Sequence, residues 1–205
     1  LGFRQIKGIS ESEMALLVEK RGQGYDSVRD LWLRTRLPRV AIEKLADADC
    51  FSSLGLNRRD ALWAAQALDA GAAVEDLPLF LTLPGADLQQ EAEVILPRML
   101  PGEEVLSDYR TLSFSLKAHP LSFLREAMQR AGLKSAADLE NMAHGAKVEI
   151  AGLVLVRQRP GSAKGVIFMT LEDETGTTNA IVWPKIFERY RPVVMGARLV
   201  ALRGR

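Results

Sequence analysis

The first 70 residues carry apolar side chains at helical spacing, in short runs separated by residues that favour helix ends. Ser10 begins one run, and Glu13 three positions later completes the S-x-x-E pattern of a capping box. Ser27 and Asp30 form a similar pair, and Asn57 precedes the last run. The spacing predicts four helices, in SESEMALLVEKRG, DSVRDLWLRT, LPRVAIEKLADAD and NRRDALWAAQALDAG.

The pattern weakens over residues 72–146. Two prolines interrupt VEDLPLFLTLPGAD and two more interrupt LPRMLPGEEV, so we expect short helices and a linker there. One clear helix is predicted in HPLSFLREAMQRAGL, which has Pro120 near its start and Gly132 at its end.

From Lys147 onward, β-branched and apolar residues replace the helical period. Strands are predicted in KVEIAGLVLVRQ, GVIFMTLED, NAIVW and ARLVALRGR, and a helix in PKIFERYR before the last strand. This order matches the first four strands of a five-stranded OB barrel, with the last strand expected beyond Arg205. The predicted fold class is α+β and multidomain, with a helical region at 1–73, a linker with short helices at 74–146 and an incomplete OB-fold β-barrel at 147–205.

Composition narrows the class of protein. The single cysteine, Cys50, excludes an internal disulfide and any site built from several cysteines, which favours a reducing, cytoplasmic location. No apolar run approaches about 18 residues, so no membrane-spanning helix is expected. Because the chain begins at Leu1 and ends at Arg205 within a strand pattern, we expect an internal piece of a longer protein.

Charge is unevenly distributed along the chain, although the net charge is only +1. Residues 1–70 hold 11 Lys and Arg against 10 Asp and Glu, residues 71–146 hold 6 against 11, and residues 147–205 hold 10 against 5. The basic C-terminal part is therefore expected to meet an anion.

The stretch IKGIS suggests a hairpin between two helices. Gly8 allows close backbone approach, Ile9 would fill the core, Ser10 would cap the next helix, and Lys7 adds positive charge. Backbone N–H groups at such a helix start suit a phosphate oxygen, although an ordinary helical corner has the same pattern. A second hairpin is possible in DCFSSLG, whose glycines fit the pattern poorly.

The stretch VRQRPGSAKGVIF places Arg157, Arg159 and Lys164 in the loop between the first two predicted strands. In OB folds this loop borders the nucleic-acid groove, so the three cations are candidate contacts to the DNA backbone. The alternative is a solvated hairpin tip. Four aromatic residues nearby could stack on bases but are expected to lie mostly in the core: Phe168, Trp183, Phe187 and Tyr190.

No other motif indicates catalysis or a metal. Glu172, Asp173 and Glu174 could hold Mg²⁺, but they flank a hairpin turn where acids are common. His119 and His144 lack the spacing of zinc ligands, and no nucleophile elbow or phosphate-binding P-loop is present. We therefore expect no catalytic residue and no metal site in this chain.

Several segments together resemble the C-terminal part of bacterial C-family DNA polymerases of the alpha-subunit type, and most closely their error-prone, translesion branch. They are LGFRQIKGISESEMALLVEKRG, LPRVAIEKLADADCFSSLGLNRRDALW, HPLSFLR and GLVLVRQRPGSAKGVIFMTLEDETG. The resemblance implies a tandem helix–hairpin–helix region followed by an OB fold, behind a polymerase core whose carboxylates lie upstream. No cofactor is then expected here, while the parent polymerase is expected to use Mg²⁺.

The resemblance also implies partners. Duplex DNA would meet the hairpin at Lys7, Gly8, Ile9 and Ser10, and single-stranded template would meet the loop carrying Arg157, Arg159 and Lys164. Replicative relatives carry a Gln-led peptide that binds the sliding clamp. Here the matching stretch DLPLF begins with Asp76 and offers Leu77, Leu79 and Phe80, so direct clamp binding is expected to be weak and accessory translesion proteins to take its place.

Two alternatives stay open at this point. The chain could be the same region of the replicative polymerase alpha subunit, or a protein-interaction module for a clamp or an accessory subunit.

Overall fold

The computed structural model describes residues 2–69, 94 and 96–205. The chain divides into two compact units, Leu1–Ser115 and Leu116–Arg205. The division falls within the predicted linker of residues 74–146, and the predicted domain bounds themselves stay a prediction.

The first unit is helical in its described residues. These described residues form five α-helices: α1 (Glu11–Lys20), α2 (Val28–Thr35), α3 (Arg39–Asp47), α4 (Arg58–Gln66) and α5 (Pro101–Leu112). Short 3₁₀ turns occur at Phe3–Gln5, Ser52–Leu54 and Ala67–Asp69. The first four α-helices confirm the four that the sequence predicts.

The predicted capping residues begin the helices. The hydroxyl oxygen of Ser10 accepts from the N–H of Glu13 at 3.3 Å, and the Glu13 carboxylate accepts from the N–H of Ser10 at 2.9 Å. The Asn57 side-chain oxygen accepts from the N–H groups of Arg59 at 2.9 Å and Asp60 at 3.1 Å. These bonds satisfy amides that have no partner inside a helix, and they fix where α1 and α4 start.

Apolar faces of α1 to α4 meet in one core. Its buried members are Ile6, Met14, Leu17, Val28, Leu31, Leu37, Ile42, Leu45, Ala46, Ala48, Phe51, Ala61, Ala65 and Leu68. Ile9 and Leu56 are half-buried against this core, and each lies directly before the cap of α1 or α4. The core therefore holds both loops that lead into these helices.

The second unit begins with short helices and continues as a sheet. The helices are a 3₁₀ turn at Pro120–Phe123, α6 (Arg125–Arg130) and α7 (Ala136–Glu140). The sheet elements are β1 (Val148–Gln158), a 3₁₀ turn at Gly161–Ala163, β2 (Ile167–Asp173), β3 (Gly176–Val182), α8 (Pro184–Gly196) and β4 (Leu199–Gly204). All pairings are antiparallel, in the order β3–β2–β1–β4.

The observed strands confirm the predicted strand–strand–strand–helix–strand order, but α8 is longer than the predicted helix. The sequence suggested an end before Pro192, because proline lacks the N–H that a helix interior needs. Instead the helix continues to Gly196 with non-helical dihedral angles at Tyr190 (φ −116°, ψ 23°). The kink at Tyr190 accommodates Pro192 within α8, so no separate loop is needed before the last part of the helix.

The sheet curves around a second apolar core, formed by Ile150, Ile167, Met169, Leu171, Val182, Phe187, Val194 and Val200. β1 bends at a bulge between Val154 and Val156. A Cβ at Gly152 would lie 2.8 Å from Leu171 Cβ and 3.1 Å from the Glu172 carbonyl oxygen. Glycine is therefore needed at this position of β1, where the neighbouring residues of β2 leave no room for a Cβ.

In the described part of the chain, no helix has the length and apolar character that crossing a membrane requires.

Candidate nucleic-acid interface

The first hairpin has the backbone that its sequence predicts. Gly8 adopts φ +77°, a left-handed conformation that favours glycine, and Ile9 packs against the core. The ammonium of Lys44, from α3, donates a hydrogen bond to the carbonyl oxygen of Gly8. A Cβ at Gly8 would lie 3.0 Å from that ammonium nitrogen, at the flexible end of the Lys44 side chain, so it is mainly the positive φ that favours glycine at residue 8.

Free amide donors are present at this hairpin. The N–H groups of Ile9, Glu11 and Ser12 find no acceptor among the described residues. The N–H and hydroxyl of Ser10 bond to the Glu13 carboxylate, and these bonds lower the pKa of Glu13 below its usual value. The hairpin thus combines exposed donors with an ionised acid, and an incoming phosphate needs nearby cations to offset that charge.

Lys7 makes contacts in the free protein that the sequence does not predict. Its ammonium donates to the carbonyl oxygen of Arg110 at 3.0 Å and of Tyr109 at 3.4 Å, and its backbone N–H donates to Thr111 at 3.1 Å. Lys7 therefore caps the C-terminal end of α5, where a positive charge is favourable. The DNA contact predicted for Lys7 stays a prediction, and Lys44 is the cation that bonds to the hairpin.

A second hairpin repeats the first, at the end of the stretch DCFSSLG in which the sequence suggests one. Gly55 adopts φ +75°, Leu56 is half-buried in the core, and Asn57 caps α4. The predicted stretch DCFSSLG ends at Gly55. The informative residues are Gly55, Leu56 and Asn57, which repeat the glycine–apolar–cap order of Gly8, Ile9 and Ser10. A pocket of about 380 Å³ opens here and includes Arg98 in its lining.

The two arginines after Asn57 differ in exposure. Arg58 is only 2% exposed, and its guanidinium bonds to Asp108 and to the Glu104 carbonyl oxygen of α5. Arg59 lies at the surface, where it donates to the Pro97 carbonyl oxygen at 2.7 Å. Arg58 is therefore part of the interior and does not face a ligand.

Of the three predicted cations, Arg157 lies within β1, and only Arg159 and Lys164 lie in the loop between β1 and β2. Arg157 is half-buried, and its guanidinium donates to the carbonyl oxygens of Val194, at 2.6 Å, and Ala197, at the C-terminal end of α8. Arg159 and Lys164 are exposed, and Lys164 adopts a left-handed φ of +48°. The structure thus gives Arg157 a stabilising role in the free protein and leaves Arg159 and Lys164 at the surface.

Three of the four aromatic residues expected in the core lie at the surface instead. Phe168 is 39% exposed, Trp183 62% and Tyr190 46%, and only Phe187 is buried, at 8%. The reason for Phe168 is the alternation of β2, in which Ile167, Met169 and Leu171 point inward and Phe168 must point outward. The expectation was therefore wrong for these three residues.

Phe168 lies on an open face of the sheet. Its paired neighbours are Gln158 on β1 and Ile181 on β3, and both are exposed. Residues paired across antiparallel strands share a face, so the three side chains form one surface patch. This patch adjoins the loop that carries Arg159 and Lys164, because Phe168 is the second residue of β2.

The acidic turn after β2 is occupied by internal contacts. Arg125 of α6 pairs with Asp173 at 2.9 Å and with Glu174. Asp173 also accepts from the backbone N–H groups of Ala136 at 2.8 Å and Thr175 at 2.8 Å. Within the described residues, no group of three or more potential ligands could hold a metal ion, and these carboxylates do not fit a Mg²⁺ site.

The stretch with Leu77, Leu79 and Phe80 lies outside the described residues, so its predicted role in partner binding stays a prediction.

Comparison with known proteins identifies both parts of the chain. Residues 1–61 match the model of a helix-hairpin-helix motif, and residues 148–205 match that of an OB-fold nucleic acid binding domain. These matches confirm the predicted order of a helical hairpin region followed by an OB fold.

Curated relatives match the chain from end to end. It is 60% identical over 205 residues to the error-prone DNA polymerase of Sinorhizobium medicae and to error-prone DNA polymerase 1 of Rhizobium meliloti, and 46% identical to the error-prone DNA polymerase of Brucella abortus. It spans 18 to 19% of the length of these relatives. Over its whole length the chain is therefore similar to a segment of error-prone DNA polymerases, and it carries a helix-hairpin-helix motif and an OB-fold nucleic acid binding domain.

Proposed function

We propose that this chain is the DNA-binding C-terminal part of an error-prone DNA polymerase that serves translesion synthesis and DNA repair. The hairpins at Gly8 and Gly55 bind the backbone of duplex DNA, and the OB fold binds single-stranded template. Polymerisation, with Mg²⁺, is carried out by residues outside this chain. Accessory translesion proteins, and less directly a sliding clamp, are the partners proposed for the whole protein.

One observation carries the proposal. An exposed aromatic ring, Phe168, lies on an open sheet face beside a loop with two exposed cations, Arg159 and Lys164. Proteins that bind single strands without sequence preference combine such stacking rings with a positively charged groove. Buried aromatic residues would instead have favoured a purely structural barrel.

The proposal is tested by titrating labelled single-stranded and duplex oligonucleotides at several salt concentrations. The logarithm of affinity should fall with the logarithm of salt by about 0.7 per phosphate neutralised on a single strand and about 0.9 on a duplex. Absence of salt-dependent binding to either substrate would leave the protein-interaction alternative.

Neutralising the loop is expected to reduce that slope. The double variant Arg159→Gln/Lys164→Gln should lower the single-strand slope by about 1 to 1.5 and weaken binding to all sequences alike. Arg130→Gln/Lys147→Gln is the matched control, because both residues are exposed cations of the same unit away from this loop. An unchanged slope in the loop variant would show that the loop is not a backbone contact.

Removing the exposed ring is expected to affect single strands selectively. Phe168→Ala should weaken single-strand binding by about 1–3 kcal/mol, since this is the range that stacked bases contribute. Its paired neighbour on the same face, Ile181, offers the control Ile181→Ala, which removes an exposed aliphatic group. Equal losses in the two variants, measured by fluorescence anisotropy, would argue against stacking.

A further inference from the structure

Arg191 of α8 lies beside the same aromatic ring as Arg159 of the β1–β2 loop. The guanidinium carbon of Arg159 is 5.2 Å from the centroid of the Phe187 ring, and that of Arg191 is 6.0 Å from it. Phe187 is buried, so its position is fixed by the core. Two guanidinium groups distant in sequence are thereby held around one rigid ring.

Neither guanidinium has an acidic partner among the described residues. Other arginines of this unit do: Arg125 pairs with Asp173 and Glu174, and Arg203 pairs with Glu149. The acid beside Phe187 in sequence is Glu188, an exposed residue that forms no ion pair with either guanidinium. Two like charges near one ring repel each other, and a bound anion would relieve that repulsion.

Lys164 is a third exposed cation, in the same loop as Arg159. A terminal nitrogen of Arg159 lies 3.6 Å from the position of a Cβ on Gly165, the residue after Lys164. Lys164 is exposed and has no ion pair within the described part of the chain. The loop thus contributes two exposed cations, Arg159 and Lys164, and α8 contributes Arg191.

The backbone of α8 fixes where Arg191 lies. Arg191 stands between Tyr190, whose dihedral angles are non-helical, and Pro192 inside the helix. Proline restricts both itself and the residue before it, so this break is a rigid feature of the chain. The guanidinium of Arg191 thus projects from a defined element, which reduces the entropy lost when a ligand binds.

We propose that Arg159, Arg191 and Lys164 form a binding site for backbone phosphates of a single strand, with α8 supplying a contact that the loop alone lacks. This proposal rests on the proposed nucleic-acid function, and it specifies the backbone phosphates as the groups that are recognised. Planar guanidinium groups bind phosphate oxygens in pairs, and three adjacent cations suit a chain of repeating phosphates. Recognition at this site is independent of base sequence.

The test compares two arginines of one helix. Arg191→Gln should weaken binding of a labelled oligothymidylate about tenfold at low salt and lower the salt slope by about 0.7, since it removes one charged contact to phosphate. Arg189→Gln is the control, because Arg189 is also exposed and also lies near a ring, that of Tyr190 at 5.3 Å. The control variant Arg189→Gln should change the affinity for the oligothymidylate less than twofold. Thermal melting of each variant should match the parent, which excludes unfolding.

Double variants add a second readout. Arg159→Gln/Arg191→Gln should lose less affinity than the product of the single losses, because residues that share a ligand group are not independent. If Arg191→Gln behaves like Arg189→Gln, the α8 site is wrong while the nucleic-acid function stands. If the parent chain shows no salt-dependent binding, the proposed function itself fails. Equal binding of polyglutamate of the same length, lost in Arg191→Gln, would overturn the phosphate assignment.

Discussion

Replacing Arg58 with Ala is expected to lower the free energy of unfolding of the first unit by about 3–5 kcal/mol. Arg58 is 2% exposed and bonds to Asp108, which is also buried and accepts from Ser115 at 2.6 Å. Removing the guanidinium would leave the buried Asp108 carboxylate without its charged partner, and most of the cost comes from that unpaired charge. Hydrogen exchange at α4 and α5 measures the loss locally, because the chain has two units.

Two further variants separate charge from packing. Arg59→Ala removes an exposed guanidinium whose ion pair with Glu103 spans 3.5 Å, so it should cost less than about 1 kcal/mol. The double variant Arg58→Met/Asp108→Leu should recover much of the stability, since a well-packed apolar pair can replace a buried ion pair. Equal costs for Arg58→Ala and Arg59→Ala would contradict the assigned role of Arg58.

The second large effect is expected at Asp173, the acceptor that joins α6 and α7 to the sheet. Asp173→Ala should destabilise the second unit by about 3–5 kcal/mol, because it removes a buried carboxylate that several donors share. These donors are Arg125, the N–H groups of Ala136, Thr175 and Gly176, and the Thr175 hydroxyl. Glu172→Ala, at a partly exposed neighbour, is the control and should cost far less.

Acid should destabilise the second unit for the same reason. Burial raises the pKa of Asp173, but bonds from Thr175 and Ala136 together with the Arg125 charge outweigh it, and the pKa lies below its usual value. The pKa of Glu174 is also lowered, chiefly by its hydrogen bond from Arg125. Both groups therefore stabilise the fold above their unfolded pKa values, near pH 4, and lose that contribution as pH falls further. Asp173→Ala should flatten this pH dependence in thermal melts, and an unchanged profile would rule out Asp173 as its source.

Local signals in the sequence predicted the local structure. Ser10, Ser27 and Asn57 cap the helices that they were expected to begin, because a side-chain oxygen near free amides acts within a few residues. The alternation of inward and outward residues in β2 also indicates an exposed Phe168. The usual preference of aromatic residues for the core pointed to the opposite, incorrect placement. The second hairpin was suggested by DCFSSLG, but its glycines fitted the pattern poorly because asparagine, at Asn57, takes the position of the second glycine.

Long-range contacts had no such signal. Arg58 and Asp108 are 50 residues apart, and Arg125 and Asp173 are 48 apart. Only folding brings these pairs together, and the same arginines read alone in the sequence are indistinguishable from surface cations. The roles of Lys7 and Arg157 as helix caps were hidden for the same reason, since α5 and the end of α8 lie far away in the sequence.

The helix-capping contacts of Lys7 and Arg157 affect how strongly salt should weaken the binding of a polyanion. Lys7 and Arg157 already face the carbonyl ends of α5 and α8, so their charges are partly balanced by the protein itself. A polyanion that binds near Lys7 and Arg157 therefore releases fewer counterions than it would release near two free surface lysines. Ionic strength should therefore affect this chain less steeply than a census of its basic residues suggests.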